Sequence, residues 1–383
     1  MIHTNELSAE DVRAYAVKQI MSHIHIATEG YQCNSEMLWN VLVKAAIERS
    51  SIEASCADLS KVVDSNTLRE QVNAKLGVSR LAELEAELNE ALAACVPTDI
   101  PQQGMGVAID THDEPFYGKT PALLAYTCRG QARKGTSHFV RIGSAYLMWR
   151  QVRLTLAITF VVPADKPLDI VHRLYERVRE RGLVPGVMYL DKLFGLPAIA
   201  RYFTDQRQPA VLACTIRGQK GGTRALATGR KSYRTTHTFK DGTQVEMAMV
   251  ATFTLDCKGK RRRKWQAFIL VLLDWSPKHI HDRYRRRFGI ETSYRQLCRV
   301  RAFTTSRNPA LRFLLLGLGL LLVNLWSVLR WSIARVMAPG PRRVDPLRFQ
   351  FQRFVRFLLH AIDVAYGAIR SIQTPFVPQS VIY

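Results

Sequence analysis

The chain has 383 residues, 47% of them hydrophobic, and its 54 lysines and arginines outnumber 32 aspartates and glutamates for a formal net charge of +22. That length buries a substantial core and suits two or three domains, which excludes a peptide-like binder. The charge is segregated: residues 1–100 hold 8 basic and 15 acidic side chains, net −7, and the remainder holds 46 and 17, net +29. A field of that size attracts polyanions by counterion release, but charge alone does not choose among DNA, RNA and an anionic membrane.

The N-terminal part reads as helical. Ser8-Ala-Glu-Asp11 resembles a capping box opening a helix, and Met37, Leu38, Val41, Leu42, Ala45 and Ile47 continue an apolar helical pattern. Glu6, Glu10 and Asp11 precede the first apolar run, where a signal peptide carries basic residues, so a cytoplasmic chain is expected. Ile52 to Leu59 and Ser65 to Leu76 read as two helices of helix-turn-helix size, the second in the place of a recognition helix. Only Arg69 and Lys75 on that second helix are cationic, and the next segment, Leu81 to Glu90, is acidic, so a purely structural bundle is the alternative. Pro97, Pro101 and Gln102-Gln103-Gly104 form a linker.

Beyond the linker the pattern changes to strands. Met105-Gly-Val-Ala-Ile-Asp110 is a short apolar run ending on a carboxylate, and Gln151 to Val162 is a long β-rich run closed by Pro163. Leu168 to Arg181 is an amphipathic helix; Gly186 to Asp191 is a second apolar strand ending on Asp, followed by a helix at Pro197 to Gln206 and a strand near Ala210 to Ile216. Strands alternating with helices imply an α/β sheet, in which functional groups gather at the carboxyl ends of strands. Between 217 and 274, the glycine-rich Gly218-Gln-Lys-Gly-Gly-Thr223 lacks the Gly-Lys-Ser/Thr of a phosphate loop and reads as a hairpin turn. The basic run from Lys258 to Lys264, with Lys260, Arg261, Arg262 and Arg263 at its centre, reads as a loop over nucleic-acid backbone, beside Trp265 as a core residue or a base-stacking one.

The stretch Tyr284-Arg-Arg-Arg-Phe-Gly-Ile-Glu-Thr-Ser-Tyr-Arg295 sets one carboxylate among phosphate-binding side chains. On a continuous helix Arg287, Glu291, Arg295 and Cys298 share a face, where Glu supplies a hard oxygen and Arg a fork for phosphate oxygens; the same spacing also suits intrahelical ion pairs on a solvated helix. A break at Gly289 would leave Tyr284 on a preceding helix. Ser276-Pro277 reads as N-cap and first helical residue. The apolar run Phe313 to Leu329 is at the lower limit for a membrane span and, with Arg312 and Arg330 at its ends, reads as a buried core helix. Pro341 to Ile369 alternates arginine with aromatic and aliphatic residues, which suits helix packing or a phosphate-contacting face equally. Seven cysteines, at 33, 56, 95, 128, 214, 257 and 298, include no Cys-x-x-Cys pair, against a zinc finger or a disulfide framework.

Val-Ala-Ile-Asp110-Thr-His-Asp-Glu-Pro-Phe-Tyr-Gly118, Leu-Asp191, and Tyr284-x-x-Arg287-x-x-x-Glu291 followed by Tyr294-Arg295 resemble the DDE transposases of bacterial and archaeal insertion sequences over about residues 105 to 335. The resemblance implies an α/β protein whose ribonuclease H-like core carries a β-rich insertion before the catalytic Glu; the intervals of 81 residues between the acids at 110 and 191 and of 100 between 191 and 291 leave room for one. It implies a core at 105–216 and 275–335 with the insertion at 217–274; the helical region at 1–96, read as a helix-turn-helix DNA-binding domain or a structural bundle, precedes it, and a helical tail at 336–383 follows. It further implies that Asp110, Asp191 and Glu291 are catalytic and bind two divalent ions, magnesium or manganese, since all-oxygen ligands suit these metals. Tyr284 and Arg287 would contact transposon-end double-stranded DNA near the cleaved phosphate, within a homodimeric synaptic complex. Two positions depart from the family: Cys298 stands where a Lys is usual, so that phosphate contact is either lost or moved to Arg295 or Arg299, and Lys192-Leu193-Phe194 replaces Gly-Phe after the second Asp. A non-transposing nuclease and a DNA-binding regulator derived from such an enzyme are the alternatives.

Overall fold

The structure is a computed structural model that describes residues 6–26, 33–149, 152–219, 221–255, 257, 259–336 and 343–371, with nothing said of the side chain at 153. Of the positions named above, Gln151, Lys220, Lys258 and Pro341 lie outside the described residues.

Five helices come first: α1 (Ala9–Met21), α2 (Ser35–Glu48), α3 (Ile52–Ala57), α4 (Ser65–Lys75) and α5 (Leu81–Ala94). The starts of the first four obey capping chemistry. Ser8 and Asp11 form the expected box, while Asn34, Ser51 and Asp64 each turn a side-chain oxygen onto an otherwise unpaired N–H of the first turn.

A mixed region follows, containing β1 (Gln103–Pro115), α6 (Pro121–Leu124), β2 (Cys128–Arg133), β3 (Thr136–Trp149), β4 (Val152–Val161), α7 (Pro167–Glu180), β5 (Val184–Leu190), α8 (Pro197–Asp205) and β6 (Ala210–Cys214). Then come β7 (Tyr233–Thr238), β8 (Gln244–Leu255), β9 (Arg261–Val271), α9 (Pro277–Arg285), α10 (Phe288–Leu297), α11 (Pro309–Ile333) and α12 (Phe351–Tyr366). The strands form a single nine-stranded sheet in the order β2-β3-β1-β5-β6-β9-β8-β7, with β4 also paired to β3. β1 runs antiparallel to β3 and parallel to β5, β5 runs parallel to β6, and β9 joins β6 antiparallel.

Three features differ from the sequence reading. β1 does not stop at Asp110 but continues to Pro115, because the polar run Thr111 to Glu114 pairs with Val140 to Gly143 of β3, itself a strand the sequence pattern does not announce. The strands of 217–274 hydrogen-bond onto β6 and so extend the core sheet. The basic run is not a loop throughout: Arg261 to Lys264 belong to β9, opposite Thr252 to Leu255 of β8. The glycine-rich segment is a turn held by Thr223, whose hydroxyl donates to the Thr215 carbonyl (3.1 Å) and accepts from the Arg217 N–H (2.8 Å).

The apolar run at 313–329 lies inside α11, and 94% of its most apolar window is buried within the protein. α11 packs against α2, α5, α10 and β4, and its side chains share a core with α1, α2 and α12. The rim of β4 is therefore covered. The Asn89 amide of α5 donates to the Ile158 carbonyl (2.8 Å) and accepts from the Ile158 N–H (2.7 Å), and Asn324 of α11 does the same at Thr155 (2.8 and 2.9 Å). Glu85 accepts from the Phe160 N–H at 2.7 Å. Side chains from two helices thus replace a missing neighbour strand.

Candidate active site

The parallel register Ile109↔Leu190 brings Asp110, in mid-strand, alongside Asp191, the residue that follows β5 and opens a 3-10 turn at Lys192–Phe194. That turn lies tightly on β6: a Cβ on Gly195 would stand 2.1 Å from the Ala213 carbonyl oxygen, so only glycine fits. On β1, Gly106, Ala108, Asp110, His112 and Glu114 point to one face by strand alternation. Ala108 shares a buried cluster there with Tyr146, Tyr189 and Phe268 of the sheet and with Ile280, Tyr284 and Ile290 of α9 and α10.

Ser276 caps α9 as expected, its hydroxyl accepting from the His279 N–H. The helix then breaks. Arg286 closes α9 and Arg287 opens α10, so Tyr284 does lie on a preceding helix, although the break precedes Gly289. Gly289 meets a different need, since a Cβ there would stand 3.2 Å from the Tyr146 ring.

At this junction the Arg287 guanidinium meets all three acids. Nη1 donates to Asp110 Oδ2 at 2.8 Å, and Nη2 lies 3.5 Å from Asp191 Oδ1 and 3.7 Å from Glu291 Oε1. The Arg287 side chain is 6% exposed, against 15%, 37% and 38% for the side chains of Asp110, Asp191 and Glu291, so the cluster opens to solvent on the side of the last two. Burial pushes the Asp110 carboxyl above its ordinary value, outweighing the pull of Arg287 and of the Thr111 N–H, which donates to Oδ1 at 2.8 Å. Arg287 is held above its ordinary value by its anionic neighbours in spite of burial.

Tyr284 does not face solvent. Its hydroxyl donates to the Leu190 carbonyl at 3.2 Å, its ring packs 4.9 Å from Phe268 and 5.4 Å from the Arg287 guanidinium carbon, and burial raises its phenol well above the ordinary range. It therefore braces the end of β5, one residue before Asp191. Arg295, Cys298 and Arg299 are exposed along and just past α10. Lys260, Arg261, Arg262 and Arg263 are exposed at the start of β9; Arg261 lies 3.9 Å over the exposed Phe253 ring, and Arg263 donates to the Gly229 carbonyl (2.6 Å). Trp265 is half-buried against Tyr233.

Several neighbours escaped the sequence reading. Ser144, opposite Asp110 on β3, shares a 2.7 Å hydrogen bond with the buried Tyr294 hydroxyl, and the Tyr294 ring lies 5.0 Å from His112, whose imidazole burial lowers to about 4, so that it is neutral. Tyr294 stood in the motif, whereas Ser144 lies on the strand that was passed over. Arg283, Arg285 and Arg286 are exposed around the α9–α10 junction, which makes this face strongly cationic.

The donor chemistry suits a hard divalent cation, because three carboxylates converge on a position already held by a positive group. Among the described residues, no three acidic, histidine or cysteine side chains are arranged to hold an ion directly: the acids surround Arg287 rather than one another.

No protein-family model matches the chain, and no curated protein matches it. Among solved structures it is similar to the piggyBac transposase in a synaptic complex with hairpin DNA, with a TM-score of 0.58 and 11% identity over 94% of this chain and 78% of that one. The chain has a mixed α/β, transposase-like fold.

Proposed function

We propose that the chain is a DDE transposase of the insertion-sequence kind, which cleaves the ends of a double-stranded DNA element and joins them to target DNA. The observation that carries this reading is the convergence of Asp110, Asp191 and Glu291, from two adjacent strands and a later helix, on one cationic point in a chain of net charge +22. The order β4-β3-β1-β5-β6, antiparallel through β1 and parallel beyond it, with α7 and α8 as crossovers, supports the ribonuclease H-like reading of the core. The similarity to a transposase bound to DNA supports the substrate class.

In this reading Asp110, Asp191 and Glu291 hold two divalent cations, magnesium or manganese. When bound, such a pair lowers the pKa of an attacking water or 3′ hydroxyl and neutralises charge on the leaving oxygen. Asp110 is rooted in a continuous strand, Asp191 is positioned by the Tyr284 contact to Leu190 and by the close fit of Gly195, and Glu291 rides on α10. The exposed Arg295, Arg299 and Lys260 to Arg263 supply backbone contacts that orient the duplex. Two copies of the chain would pair two element ends in the cytoplasm, on the nucleoid.

Asp110→Asn, Asp191→Asn and Glu291→Gln should each abolish metal-dependent cleavage of an end-bearing duplex, by at least about a hundredfold, while end binding in a gel-shift assay run without divalent metal stays within about threefold. Normal cleavage by any of them removes that residue from the site, and loss of binding alongside cleavage makes it structural. Strand joining by wild type separates a transposase from a nuclease.

A further inference from the structure

Among the described residues Arg287 is the one group that touches all three acids, and it does so from a rooted position: its backbone opens α10 at the two-helix junction and its side chain is 6% exposed. A guanidinium is always charged in a protein and so acts as a permanent internal cation. The oxygens around it stand 2.8, 3.5 and 3.7 Å from its nitrogens, whereas Mg²⁺ or Mn²⁺ needs carboxylate oxygens gathered at roughly 2.0–2.2 Å around one centre. The acids cannot close on an ion while the guanidinium stands between them, and two like charges in so small a space repel. Asp191 and Glu291 are more than one-third exposed, so an ion reaches the cluster directly from solvent. The same guanidinium fork also fits a phosphate, and the exposed Arg283, Arg285 and Arg286 surround the junction with charge that draws a nucleic-acid backbone to it.

Resting on the reading of the site as a metal-dependent DNA-cleaving centre, we propose that Arg287 is the resident counter-cation of the carboxylate cluster and exchanges with the divalent ion. A DNA phosphate that takes the guanidinium out of the cluster thereby tightens metal binding in the same chain. The coupling is reciprocal, since metal that displaces Arg287 leaves it free for phosphate and raises DNA affinity by the same factor. Free protein binds metal weakly, and the cleaving site assembles only on DNA. The competing arrangement keeps Arg287 in place as an outer partner that orients the carboxylates behind the ion, and it predicts the opposite sign, because loss of such a partner weakens metal binding.

The test is a Mn²⁺ titration of the full-length chain, read by electron paramagnetic resonance of free Mn²⁺, with and without a short duplex carrying the element end. Arg287→Gln should bind Mn²⁺ at least about tenfold tighter than wild type in the absence of DNA. The duplex should tighten Mn²⁺ binding to wild type by about fivefold or more, within the usual span of such couplings, and leave Arg287→Gln nearly unchanged. Equal or weaker binding by Arg287→Gln overturns the proposal. If that variant does not fold, Arg287→Lys takes its place: a lysine is a compact point charge that spans fewer of the oxygens, so tighter binding than wild type is expected and equal or weaker binding overturns the proposal. Asp110→Asn separates the two levels of inference. If it binds Mn²⁺ as wild type does, the acids hold no ion and the metal-dependent reading itself falls. If it loses Mn²⁺ while Arg287→Gln gains none, only the exchange is wrong.

Discussion

At the scale of single residues, Tyr284 shows how a motif position acquires its role from its surroundings. By resemblance it was expected beside DNA, but its ring is packed between Phe268 and Arg287 and its hydroxyl reaches the Leu190 carbonyl. Tyr284→Phe keeps the ring and removes one buried hydrogen bond, which is worth about 1 kcal/mol. The expected outcome is a melting temperature lower by a few degrees, a moderate loss of cleavage through the loosened Asp191 turn, and unchanged end binding. A drop in DNA affinity at unaltered melting temperature would instead put the hydroxyl on a phosphate. Gly195 is a sharper case: Gly195→Ala drives a methyl into the Ala213 carbonyl at 2.1 Å, and because that contact is backbone the whole turn bearing Asp191 has to shift. Cleavage should fall more than tenfold with that substitution, and full activity would show that the turn has slack the packing does not reveal.

At the scale of elements, the sequence was informative wherever local pattern and tertiary role agree. α7, α8, β4, β5 and β6 lie within a few residues of where apolar periodicity and the proline signals put them, because their faces are buried in the ordinary way. The second half of β1 was invisible for a physical reason: Thr111-His-Asp-Glu114 is polar, and it is a strand only because β3 pairs with it, a partner that had itself gone unrecognised. The candidate site was half legible. The four-residue spacing of Arg287 and Glu291 and the two apolar runs ending in Asp located its four charged groups, but nothing local said that the arginine would sit among all three acids. The covering of β4 was equally hidden, since a buried asparagine in an apolar helix carries no signal of what it pairs with. Asn89→Ala leaves the N–H and C=O of Ile158 buried without those partners, at a cost of about 2–4 kcal/mol. Thermal or urea unfolding should register that loss; a change under 0.5 kcal/mol would mean that water takes over both bonds.

At the scale of the whole molecule, the segregation of charge sets the terms of binding. The basic excess beyond residue 100 is spread over the α9–α10 junction, the start of β9 and the exposed side chains past α10, so many contacts rather than one strong one should hold the duplex. Affinity for an end-bearing duplex should fall by a factor of about a hundred or more between 50 and 200 mM salt, and replacing Lys260, Arg261, Arg262 and Arg263 with Ala should make the logarithmic salt slope shallower by about two to four. An unchanged slope after that replacement would leave the four side chains solvated and away from the duplex.

The asparagine amides of α5 and α11 that lie along β4 also decide where this chain can be divided. A boundary at the proline-rich stretch after Cys95 looks natural in the sequence, but a fragment beginning there loses Asn89 and Glu85 and uncovers the flank of α11 that α5 protects. Such a fragment would offer an open hydrogen-bonding rim beside an apolar surface, the combination that draws chains into aggregates. The first ninety-odd residues are in this respect a permanent cover for the sheet, and exchanging them for another module would require supplying a new lid for β4 as well.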